Sequence, residues 1–231
     1  MTAVVDPNVE THMTQPSAPQ DSLVISYLRL RRAVGYLGLA LPFVLALGAF
    51  WLHGQGIQSS ISAYYHTGMR DVFVGILCAI GIFLLSYRGH ERKDRLAGDA
   101  ACLFALGVAL FPTAPDVDPT SRQKLIGGVH LVFASLFFLT LAYFSLCLFT
   151  LTDPMKPPTP RKLQRNRVYR ACGYTMLAAL ALILAITIAP AELSAPIRSL
   201  QPVFWLEALA VVAFGLSWLT KGERILQDEG E

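Results

Sequence analysis

Six apolar stretches, each near the length of a membrane-crossing helix, take up most of this chain of 231 residues. They fall at about 33–52, 72–87, 96–112, 125–150, 171–189 and 203–220. A spanning helix needs roughly 17–25 predominantly apolar residues. Only 15% of the residues are charged and 54% are hydrophobic, whereas soluble domains carry about 25% charged residues. The expected class is therefore all-α: a polytopic membrane helix bundle of six transmembrane helices over 23–220, without a soluble domain. Residues 1–22 are polar, contain Pro7, Pro16 and Pro19, and lack the basic start and apolar core of a signal peptide. They are expected to form a disordered tail. Residues 23–32 read as an amphipathic lead-in, 153–170 as a Pro-rich and then basic loop, and 221–231 as a second short tail.

The net charge of +3 says less than its distribution. Six spans bring both termini to one side. Arg29, Arg31 and Arg32, the four basic residues in 88–95, the six in 156–170, and Lys221 and Arg224 fall on that side. Arg70, Arg122, Lys124 and Arg198 are left for the other. By the positive-inside rule both termini are expected to be cytoplasmic, in a cell (inner or plasma) membrane. The basic loops then set topology and meet anionic lipid heads, and no nucleic-acid partner is expected. Homo-oligomerisation stays open. The four cysteines, Cys78, Cys102, Cys147 and Cys172, sit inside apolar stretches without the spacing of a metal site.

On this topology the polar island at 59–71, SSISAYYHTGMRD, lies on the outer face. Ser59, Ser60 and Ser62 offer hydroxyls, and His66 offers a base or a metal ligand. Tyr64 and Tyr65 can orient a ligand, and Arg70 can grip a phosphate or carboxylate. The competing reading is an interfacial loop, with the tyrosines in the aromatic belt, the serines capping the next helix and Arg70 paired with Asp71. Three spans bring ionisable groups to that side: Asp71 at a span boundary, His130 and Glu207 roughly 6–8 Å into the leaflet. Charges in a bilayer are expected to face the bundle and pair. Helical spacing groups Asp71, Gly75, Cys78 and Ile82 on one expected inward face. It likewise groups His130, Ala134, Phe137 and Leu141, and Glu207, Val211, Phe214 and Trp218. Asp99 is read as a cap or a partner of Arg95, and Asp116 and Asp118 as a solvated turn.

The run SSISAYYHTGMRDVFVG, the basic RGHERKDR turn and the following LAGDAACLFALGVALFPT resemble a group of bacterial multi-pass membrane proteins of unknown function. The resemblance covers most of 54–151. The Ile-Ser pair ahead of a span is similar to DRAM-type six-span proteins. Ser62 and His66, separated by three residues, resemble the first element of the CREST superfamily of membrane hydrolases, which includes alkaline ceramidases and adiponectin-type receptors. That resemblance implies zinc held with an aspartate, for which Asp71 or Asp99 stands. The histidine pair expected on the last helix is absent; Glu207 is there instead.

Three functions follow as expectations. A lipid- or small-ligand-binding or membrane-organising protein needs only a bundle with a polar outer-leaflet pocket, with Tyr65, Arg70, His130 and Glu207 as its binding residues. A zinc-dependent lipid amide or ester hydrolase needs two histidines and a carboxylate with an open position. His66, His130 and either Asp71 or Glu207 form its best set, with Ser62 orienting a metal-activated water. A small transporter ranks last, because no inverted repeat or pair of broken spans is visible.

Overall fold

The computed structural model describes residues 19–87, 92–152, 155, 157–190, 196–197, 199–223 and 225–226, with side chains from residue 28 onward. The helices described in full follow in order: α1 Pro19–His53, α2 Arg70–Leu85, α3 Arg92–Leu110, α4 Ser121–Tyr143, α5 Pro160–Ile188 and α6 Pro202–Lys221. A short 3-10 helix, Ser62–His66, precedes α2, and α4 runs into a π-helical turn, Phe144–Leu148. No strand occurs among the described residues. Among the described residues four segments are long and apolar enough to cross a membrane: Leu28–His53, Ser121–Leu148, Pro160–Ile188 and Pro202–Lys221. They mark the chain as a membrane protein. The helices α2, with 16 residues, and α3, which opens on Arg92, Lys93, Asp94 and Arg95, fall outside that group.

Each helix packs against its neighbours in the chain, and α6 returns to pack on α1, so the six form a closed ring. The α1–α6 seam is built from small residues. A Cβ placed on Gly215 would come within 2.8 Å of the Gly35 carbonyl oxygen and of the Leu39 nitrogen. Backbone-to-backbone approach of this kind is how membrane helices gain dispersion contact without a hydrophobic driving force. Gly98 does the same for the α2–α3 pair, where a Cβ would lie 2.7 Å from the Leu84 oxygen. At one end of the ring Arg32 Nε donates to the Gly222 carbonyl at 2.8 Å, which sets the start of α1 beside the end of α6. We call this the basic end.

The helix boundaries depart from expectation at two basic segments. The basic half of the expected 153–170 loop is helical from Pro160. Thr159 accepts the Lys162 amide as an N-cap and Pro160 takes the first turn, where its missing N–H costs nothing. The expected 23–32 lead-in is continuous with α1, which begins at Pro19. Residues 1–18 of the expected first tail, most of the second, and the first half of the 88–95 turn lie outside the described residues.

The inward faces follow expectation on α4 and α6 but not on α2. His130, Phe137 and Leu141 are buried, as are Val211, Phe214 and Trp218. On α2 the buried row is Phe73, Leu77, Ile80 and Leu84, while Asp71, Gly75 and Ile82 are exposed. Asp71 lies in the first turn of the helix, where a carboxylate is favoured by the helix dipole and within reach of water. It exerts no pull inward, and the larger apolar side chains decide the face.

Candidate functional site

The polar island is pinned from two sides. On one side it is latched to α6. Glu207 accepts the Ile61 amide at 2.6 Å and also the amide of Ser62. Phe204 N–H donates to the Ser59 carbonyl at 3.1 Å. The Tyr64 ring, fully buried, packs on Phe204 with centroids 6.1 Å apart. Burial pushes the Tyr64 phenol above the ordinary tyrosine pKa, against a smaller opposing effect of the Gln58 amide. Glu207 thus spends its acceptor capacity on backbone donors that have no helix partner.

On the other side two histidines clamp the exit of α3. His66 Nε2 meets the Thr113 carbonyl and His130 Nδ1 meets the Phe111 carbonyl, each at 2.7 Å. A carbonyl only accepts, so Nε2 of His66 and Nδ1 of His130 carry the protons. A capping box at Thr120 and Gln123 starts α4 just beyond this loop. Within the island, Ser60 Oγ accepts the Ala63 amide. The start of α2 has no side-chain cap, so the serines do not serve there. Arg70 pairs with Tyr65 rather than Asp71: it donates to the phenol oxygen at 3.1 Å and lies 4.6 Å from the ring centroid.

Three cavities surround this pinned segment. In the centre of the ring a cavity of about 40 Å³ is walled by Phe73, Leu77, Val108, Phe137 and Phe214, with Ser62 and Glu207 as its polar members. It has room for little more than a water molecule. At the surface a cleft of about 180 Å³ is lined by Gln58, Ala63, His66 and the 114–117 loop with Asp116. Between α1 and α6 a groove of about 520 Å³ is lined, among the described residues, by apolar side chains, Pro42, Leu47, Ile57, Phe204, Trp205 and Ala208 among them. Cleft and groove share one stretch of chain, Ile57–Gln58, with Ile57 lining the groove and Gln58 lining the cleft.

Of the expected site residues, Ser62 and Glu207 meet at the central cavity, and His66 and His130 meet at the α3–α4 loop. Tyr65 and Arg70 form their own pair, and Asp71 lines none of the three cavities. Among the described residues no three His, Cys, Asp or Glu side chains gather closely enough to hold a metal ion. The zinc set of His66, His130 and Asp71 or Glu207 therefore does not fit: His66, His130 and Glu207 are engaged with backbone groups at different places, and Asp71 stands apart from all three cavities.

The residues that sequence reasoning missed lie at the basic end. There Tyr87, Phe144, Phe149, Tyr169, Phe214 and Trp218 form one aromatic cluster; Trp218 stands 5.2 Å from Phe149 and 5.3 Å from Tyr87. Asp94, buried, lies at the same end although it belongs to a charged turn in the sequence. Ser145, placed by the π-helical turn, shares a 2.8 Å hydrogen bond with Ser217. The available signal was that four helices each carry an aromatic residue where they meet the basic loops.

Fold and site together define a class, a helical-bundle membrane protein with a latched surface segment at one end. No family model, curated protein or solved structure matches the chain.

Proposed function

We propose that this is a six-span protein of the cell membrane, with both termini cytoplasmic, that binds a lipid of the outer leaflet. One observation carries the reading: an apolar groove and a polar cleft adjoin at Ile57–Gln58. A groove of about 520 Å³ is in the range of small-molecule sites, and its apolar lining suits an acyl chain. The cleft takes the headgroup. It is lined by Asp116, His66 and Gln58, and among the described residues no Lys or Arg contributes to it. That lining favours a headgroup with a cationic or hydrogen-bond-donating end, such as an amine, over one with net negative charge. Glu207 and the two histidines are positioning residues that hold the wall between the two subsites.

The test is native mass spectrometry of the protein released from nanodiscs containing phosphatidylethanolamine and phosphatidylglycerol in equal amounts. One retained lipid per chain is expected, with phosphatidylethanolamine preferred. Ala208→Trp, which fills the groove, should abolish retention, and Asp116→Asn should remove the headgroup preference while keeping retention. Retention unaffected by Ala208→Trp would overturn the proposal.

A further inference from the structure

The seam between α3 and α4 holds a groove of about 400 Å³ that takes no part in the latched segment. Each helix gives it one full stripe. Lys93, Leu96, Ala97 and Ala100 come from α3, and Leu136, Leu139, Thr140 and Tyr143 from α4. Both sets follow the i, i+3, i+4, i+7 spacing that lines helix side chains up on one face. Ala97 and Ala100 present only methyl groups across the seam, which leaves the space between the helices open. Further along, α3 and α4 are in contact: Phe104 and Phe133 pack with centroids 6.4 Å apart, and a Cβ on Gly107 would run into the Phe133 ring.

Chain direction orders the lining by depth. The first turns of α3 lie at the basic end, where Gly98 packs near the carbonyl of Tyr87, a member of the aromatic cluster. The end of α4 lies there too, because Phe144 belongs to the same cluster. Lys93 and Tyr143 therefore stand at the mouth of the groove. Ala100 and Leu136 lie deepest, each about 10 Å along its helix from the mouth. Thr140 lies between, but its hydroxyl proton is spent on the Leu136 carbonyl at 2.8 Å. The inner part is thus apolar and the mouth polar, the gradient of a lipid molecule. Among the described residues the lining holds no Asp or Glu, and its one charged side chain is Lys93, which is exposed. A lysine so placed lays its stem on apolar surface and holds its ammonium at headgroup level.

We propose that this groove is a binding site for an anionic phospholipid of the leaflet at the basic end. One acyl chain lies along Ala100, Leu136 and Leu139. Lys93 meets the headgroup phosphate as a point charge, and the Tyr143 phenol donates to a phosphate or glycerol ester oxygen. Charge complementarity selects the occupant. A lining with one cation and no carboxylate favours a headgroup of net negative charge, the opposite of the cleft beside Asp116. In the proposed orientation this leaflet is the cytoplasmic one, whose surface is negative. The site shares no lining residue with the α1–α6 groove, and either can fail without the other.

Ala208→Trp fills the α1–α6 groove, so lipid retained by a full chain carrying it is bound elsewhere. That chain is placed in phosphatidylcholine nanodiscs with a rising fraction of phosphatidylglycerol, and retained lipid is counted by native mass spectrometry. One phosphatidylglycerol per chain is expected, saturating as its fraction rises. Adding Lys93→Gln should raise the fraction needed for half-occupancy about fivefold, the effect of one basic residue at an anionic surface. Lys93→Arg should leave it in place. Ala100→Trp fills the inner end of the groove and should abolish retention. Lys93 is exposed, so Lys93→Gln leaves the packing alone, and it decides the matter by itself if Ala100→Trp does not fold. No retained phosphatidylglycerol, equal retention of phosphatidylcholine, or a half-occupancy unmoved by Lys93→Gln overturns the proposal. So does retention that survives in folded Ala100→Trp, or a lipid-free dimer, which would put a second copy of the chain in the groove.

Discussion

Glu207 shows how a carboxylate inside a membrane helix can be structural in its contacts and still matter to a site. Its oxygens accept amides from a segment that has no regular partner. An unsatisfied buried donor costs about 1–3 kcal/mol, more than a made hydrogen bond contributes. Glu207→Ala should therefore loosen the latch by about that amount, and Glu207→Gln by less, since its carbonyl can still accept one amide. Hydrogen exchange read by mass spectrometry gives the local answer. The peptide covering 57–66 should exchange faster in Glu207→Ala while peptides from α4 and α5 keep their rates. Unchanged exchange at 57–66 would remove the latch. The residue types at this end were legible in the sequence: Ser62, His66, His130 and Glu207 do lie in contact with the island or its neighbouring loop. The partners of His66, His130 and Glu207 were not legible, because all of them are backbone groups, which carry no residue signature.

At the scale of elements, the α1–α6 seam and the face of α2 give opposite predictions for the same kind of substitution. Gly215→Leu pushes a side chain into the α1 backbone, which cannot rotate away as a side chain can. Overpacking of this sort costs about 1–3 kcal/mol. At Gly75 a Cβ would meet nothing within 4 Å, and Gly→Ala in a helix interior gains up to about 1 kcal/mol. Apparent melting temperatures in one detergent should fall for Gly215→Leu and hold or rise for Gly75→Ala; a fall in both would mean that α2 presents Gly75 to a partner. Hydropathy made the existence and order of the helices legible. It could not tell that Pro160 starts a helix rather than sitting in a loop, since a Thr-Pro pair serves as cap or as turn. Nor could it choose the inner face of α2, where the ionisable residue and the bulky residues point to different sides.

For the whole molecule the open question is whether α2 and α3 cross the membrane. At 1.5 Å per residue their 16 and 19 residues span about 24 and 28 Å, slightly less than a hydrocarbon core of about 30 Å. Each is nonetheless extended by interfacial groups. Arg70 opens α2 and Tyr87 follows its end, while Arg92 and Lys93 open α3. Local thinning or snorkelling at such ends costs only fractions of a kcal/mol per Å. The ring also requires the pair: without a crossing by α2 and α3, α1 and α4 would lose the neighbours that lie between them. Crossing by both predicts that Gly56 and Val117 face one side, and Ser86 and Lys93 the other. Single cysteines at these four positions, in a chain whose own four cysteines are replaced, can be labelled in intact cells with a membrane-impermeant maleimide. Gly56→Cys and Val117→Cys should label at once, and Ser86→Cys and Lys93→Cys only after permeabilisation. If Ser86→Cys labels together with Gly56→Cys, α2 and α3 form a hairpin dipping in from one side. The termini would still share a face, four crossings being as even as six, but the cleft beside His66 and Asp116 would rest on a re-entrant pair instead of two spans.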